Sequence, residues 1–106
     1  MARLITIYWR DVPAQVNAQR GRERVSMPLP RPFQRAVERA AVRSRQKNAH
    51  DFVRHWRRSD RPCGDDLTAE ATAEVARITE AYPLRRLNGL IESGGIEPDT
   101  EPQTEG

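Results

Sequence analysis

From Arg3 to Arg10 the side chains alternate in character, and this stretch constrains the fold more than any other. Ile5, Ile7 and Trp9 fall on one side of an extended strand, and Leu4, Thr6, Tyr8 and Arg10 on the other. The first set reads as a core face. Asp11-Val12-Pro13 then ends the strand, because Asp favours turns and Pro13 lacks the N–H that a central ladder needs. Ala14 to Gln19 alternates again, with Ala14, Val16 and Ala18 set against Gln15, Asn17 and Gln19. Arg20-Gly21-Arg22 reads as a hairpin turn, followed by a third strand with Val25 and Met27 inside and Arg24 and Ser26 outside. The pattern predicts a three-stranded antiparallel meander over about residues 3–28, apolar on one face and polar on the other.

Prolines 28, 30 and 32 end that sheet, and Pro32 suits the first turn of a helix. Phe33, Ala36, Val37, Ala40 and Ala41 then recur at helical spacing, opposite Arg35, Glu38, Arg39 and Arg43. A helix is expected over 32–45. A second is expected over 49–58, capped by Asn48 and burying Phe52, Val53 and Trp56. Ser59 to Asp66 reads as a loop. Leu67, Ala71, Val75, Ile78 and Tyr82 predict a third helix over 66–82, capped by Asp65 or Asp66, with Glu70, Glu74 and Glu80 on its exposed side. Pro83 separates a short fourth helix over 84–92, and Gly94-Gly95 stops it. The fold class is therefore α+β, with the meander packed on three or four helices in a single domain, 1–94. Residues 95–106 carry two prolines, no aromatic residue and only negative charge, which predicts a disordered acidic tail.

A chain of 106 residues with 37% hydrophobic and 31% charged side chains suits one small, highly soluble domain. The net charge of +3 conceals an asymmetry: residues 1–61 hold 15 basic and 5 acidic side chains, residues 62–106 hold 3 and 10. The halves thus carry +10 and −7. The apolar run Leu4–Trp9 is too short for a secretory signal, no segment reaches membrane-spanning length, and Cys63 is alone, so a cytoplasmic location is expected.

No catalytic, cofactor or metal constellation stands out. His50 and His55 are five apart, not the four that places two ligands on one helix face, so no metal is assigned. Cys63 has no sequence-encoded base beside it, and a bystander thiol is the simpler reading. An enzymatic role is accordingly disfavoured. The candidate surface is the polar sheet face, displaying Tyr8, Arg10, Gln15, Asn17 and Arg24, with Arg20 and Arg22 at the hairpin tip. A second basic cluster comprises Arg54, Arg57, Arg58 and Arg61 around Trp56. Tyr and Arg on an open sheet suit a protein partner. They also suit RNA or single-stranded nucleic acid, through stacking and phosphate contacts. An ordinary solvated face is the competing explanation. The second cluster has one too, since its arginines can pair with the acidic third helix.

Four segments resemble one known family: Ile-Tyr-Trp-Arg-Asp-Val-Pro-Ala-Gln-Val (7–16), Gly-Arg-Glu-Arg-Val (21–25), Pro-Phe-Gln-Arg-Ala-Val-Glu-Arg-Ala-Ala-Val-Arg (32–43) and Trp-Arg-Arg-Ser-Asp (56–60). This is the small bacterial "virulence factor" domain family, related to a domain of the conserved virulence factor C proteins. The resemblance covers about Leu4 to Leu90. It implies no active site. It does imply an accessory or adaptor protein associated with folate- and corrinoid-dependent methyl transfer, with proteins of one-carbon metabolism as partners. The sequence has no Asp-x-His-x-x-Gly signature for cobalamin, and no cofactor is expected.

Overall fold

A computed structural model of the chain describes residues 1–45 and 49–97. The elements are β1 (Arg3–Trp9), β2 (Val12–Arg20), β3 (Glu23–Pro28), α1 (Arg31–Arg43), α2 (Ala49–Val53), β4 (Trp56–Pro62), α3 (Leu67–Ala81) and α4 (Leu84–Glu92). The four strands form one antiparallel sheet in the order β3-β2-β1-β4. The class is α+β as expected, but the sheet has four strands rather than three.

The extra strand replaces most of an expected helix. The helix that begins at Ala49 stops at Val53, and Trp56–Pro62 pairs with β1 over its whole length. Every residue of β4 is exposed, so no apolar alternation announces it. Its position is fixed instead by the backbone groups of β1, which need partners on both sides. Asn48, the expected cap, lies outside the described residues.

For Ile5 and Ile7 the face assignment of β1 is reversed, while Trp9, expected beside them, does belong to the core; a single residue is responsible for the reversal. Ile7 pairs with Gln15 but Tyr8 pairs with Pro13, which leaves Ala14 as an extra residue in β2. Without that bulge, Ile5 and Ile7 would lie beside Val16 and Ala14, as the alternation suggests. With it, Leu4 pairs with Ala18 and Thr6 with Val16, while Ile5 and Ile7 pair with Asn17 and Gln15. One inserted residue transfers a whole strand's side chains to opposite faces.

The helices cover the face bearing Leu4, Thr6, Val16 and Ala18. There α1 contributes Phe33, Ala36, Val37, Ala40 and Ala41, α3 contributes Leu67, Ala71 and Ile78, and α4 contributes Leu87 and Leu90. Burying a residue such as Phe33 stabilises the fold by roughly 1.5–3 kcal/mol. Glu74 departs from expectation: it is only 5% exposed. Asp66 caps α3 by accepting from the Ala69 N–H, and Pro83 ends it.

Trp9 is fully buried at the end of β1. Its indole Nε1 donates to the Phe52 carbonyl at 2.8 Å, and its ring stacks on Phe52 and meets His55 edge-on. The third cover is Gly95, whose φ of +94° follows the end of α4. A Cβ there would lie 2.9 Å from Trp9 Cζ3, so only glycine fits. Residues 95–97, expected to begin the disordered tail, instead pack down: Gly95 O accepts from Asp11 N–H, and Glu97 N–H donates to Asp11 Oδ2 at 2.6 Å. The remainder of the expected tail, 98–106, lies outside the described residues.

Candidate functional site

The second face of the sheet meets α2 at its Trp56 end, through Phe52, and displays the rest of its side chains on the outer side of the domain. The strand register arranges its side chains in rows. Arg24, Gln19 and Arg3 form one, Ser26, Asn17, Ile5 and Asp60 the next, and Gln15, Ile7 and Arg58 a third. Trp56 follows Arg58 on β4. Ile5 is 3% exposed and Asn17 2%, yet Ile5 is not part of the helix-packed core. Both are buried by neighbours on their own face, where Gln15 Nε2 donates to Asn17 Oδ1 and Arg3 pairs with Asp60 at 3.1 Å. Ile7, Trp56, Arg57 and Arg58 line a shallow concavity of about 240 Å³. Trp56 stands 37% exposed beside it and meets Phe52 edge-on. An apolar centre with an arginine rim results.

The candidate residues divide. Gln15, Asn17, Arg24 and Arg58 share this open face. Tyr8 and Arg10 do not, because the bulge turns Tyr8 to the helical side. Arg57 lies over the Tyr8 ring at 4.4 Å, and its guanidinium donates to Arg10 O and Asp11 Oδ1. It thereby ties β4 to the β1–β2 turn. Arg10 occupies that turn at φ +53°, donating to Gly94 O and contacting His55 Nε2. Arg20 is held by Glu23 and Asp65, Arg22 sits exposed at the hairpin tip, and Arg54 is exposed between α2 and β4. The residues missed are Ile5, Ile7, Trp56, Arg3 and Asp60. The period-two alternations Arg3, Ile5, Ile7 and Trp56, Arg58, Asp60 are the sequence signals that could have grouped them.

Burial, then the Arg10 and Arg54 charges, push the His55 pKa down. An arginine can only donate, so His55 Nε2 is the acceptor in their contact, in keeping with a neutral ring. Cys63 is half-buried, and burial followed by the Glu70 carboxylate raises its pKa, the reverse of an activated thiol. His50 is exposed on α2. Among the described residues no group of three His, Cys, Asp or Glu side chains lies close enough to hold a metal. Nor is any described helix long and apolar enough to cross a membrane.

These features define a two-layer α+β domain with helices on one sheet face and a mixed apolar and arginine surface on the other. The family model described as "Virulence factor" matches residues 7–91, and the chain belongs to that family. No curated protein and no solved structure matches it.

Proposed function

We propose that this protein is a small non-enzymatic accessory protein of the cytoplasm that binds a protein partner across its open sheet face. The observation that carries this reading is the exposed Ile7–Trp56–Arg58 surface, an apolar centre beside a charged rim. Trp and Arg are the residues that most often anchor protein interfaces. Arg24 and Arg58 favour a partner that is acidic around an apolar patch. The family resemblance supports folate- and corrinoid-dependent methyl-transfer proteins as the first candidates.

The test is a binding measurement against those candidates by pull-down and calorimetry, with Trp56→Ala and Arg58→Glu. Each is expected to weaken binding at least about tenfold, while Arg22→Ala at the hairpin tip leaves it unchanged. Full binding by both face variants would reject this face as the interface. Tyr8 and Arg10 are unsuitable probes, because both are engaged within the fold.

Trp56 beside Arg58 on an open sheet also favours a second reading, single-stranded RNA, since the indole offers a stacking platform and the guanidinium a phosphate contact. An electrophoretic shift of mixed-sequence RNA that weakens steeply with salt would support it, and no shift at low salt would exclude it.

A further inference from the structure

The helical layer carries a second surface, built from different elements. A groove of about 360 Å³ runs between α1 and α4. Arg31, Arg35 and Arg39 recur every fourth residue and line one wall, and Leu84, Leu87 and Ile91 supply an aliphatic floor and opposite wall. Leu84 is 65% exposed. The Arg43–Glu92 ion pair joins the C-terminal ends of the two helices.

The three arginines differ from those that acids hold elsewhere in the molecule. Asp60 holds Arg3, Asp11 holds Arg57, Glu74 holds Arg61 and Arg77, and Glu97 holds Arg86. Arg31, Arg35 and Arg39 make no ion pair among the described residues, and Glu38, the one acid of α1, pairs with none of them. Like charges four apart on a helix repel one another and weaken it by a few tenths of a kcal/mol per pair. A run of three beside exposed leucine therefore works against stability and solubility, unless something acidic and apolar covers it.

We propose that this groove docks an acidic amphipathic helix of a partner protein. The arginine wall runs eight residue steps, about 12 Å, which is a little over two helical turns. A helix laid along it would present carboxylates at the same four-residue repeat and apolar side chains to Leu84, Leu87 and Ile91, the helix-in-groove mode of recognition. The floor is aliphatic and offers no aromatic ring for base stacking, which disfavours nucleic acid. The acidic stretch 98–106 of this chain has no large apolar side chain with which to cover the floor.

The probe is a fluorescein-labelled peptide about 15 residues long, with glutamate at every fourth position, leucine along the adjacent stripe and alanine elsewhere. A scrambled peptide of the same composition is its control. Anisotropy titrations of the full chain are expected to show binding of the patterned peptide, weakened at least about tenfold by scrambling, by R35E/R39E and by Leu84→Asp. Arg58→Glu, on the open sheet face, should leave it unchanged, which separates this surface from the partner face proposed above. All these positions are exposed, and thermal melts confirm that the variants fold. Equal binding of the scrambled peptide, or full binding by Leu84→Asp, would reduce the interaction to bare charge attraction and overturn the proposal. So would absence of binding. Displacement by mixed-sequence RNA through the same arginines would assign the groove to nucleic acid. Binding seen only in a chain ended at Glu97 would assign it to the protein's own acidic segment.

Discussion

Glu74 illustrates how one side chain's role depends on its neighbours rather than on its type. Helical spacing puts it beside Glu70 in a row of acids, which reads as a solvated face. In the fold β4 brings Arg61 over the same carboxylate that Arg77 already grips, with Arg61 Nη2 and Arg77 Nε at 3.1 and 3.0 Å from Oε1. The hydrogen bond from Arg77 is the main reason its carboxyl is held below the usual value of 4.5, and burial opposes it. Because the folded pKa is the depressed one, this contribution is complete above the ordinary carboxylate range and is lost as pH falls through the folded value. Glu74→Gln keeps the shape and removes the charge. It is expected to cost about 1–2 kcal/mol near neutrality, since Arg61 and Arg77 are more than half exposed and remain solvated. The gap between variant and wild type should narrow as pH falls through the folded value, as thermal denaturation at neutral and at acidic pH will show. An undiminished gap would assign the loss to packing instead.

At the level of elements, α1, α3 and α4 were legible because each carries its own helical apolar stripe and its own stop. Two features were not, for different reasons. β4 is a surface strand whose side chains are all exposed, so its conformation follows from the free edge of β1 rather than from Trp-Arg-Arg-Ser-Asp-Arg-Pro itself. Its charges and Pro62 also suit an edge that must not recruit another chain. The bulge at Ala14 is silent because alanine is unremarkable in either register, yet it decides which half of β1 meets the helices. The candidate surface inherited that error: Gln15, Asn17 and Arg24 were grouped correctly with one another and wrongly with Tyr8. Deleting Ala14 tests what the bulge adds. The shortened β2 keeps Pro13 opposite Tyr8 and Gln15 opposite Ile7 as a regular ladder, so the faces are retained, while the bend of the bulge and the Leu29 N–H bond to Ala14 O are lost. A loss of about 2–4 kcal/mol is expected in urea denaturation. A variant as stable as wild type would show that the bulge contributes no stability beyond setting the register.

Across the whole molecule, the +10 and −7 halves of the sequence do not form two poles. Arg20–Asp65, Arg43–Glu92 and Arg61–Glu74 each join one half to the other. The first two are exposed pairs that contribute only about 0–1 kcal/mol apiece, so they organise the surface more than they hold it. What does bind the ends of the chain together is the seat of Trp9 beneath Gly95. Gly95→Ala is expected to cost at least about 2 kcal/mol, from the positive φ and the approach to the indole, with a shift in tryptophan emission. Unchanged stability and emission would mean that the contact is slack. A further consequence concerns birth rather than equilibrium. Within this domain β1 emerges before the other strands, and it ends in a tryptophan whose lid is made some 86 residues later, as the Asp11–Glu97 bond marks. Early hairpins can form as they emerge, but Trp9 stays open to water until α4 and its glycines are out, so the last step of folding waits for nearly the entire domain to be synthesised.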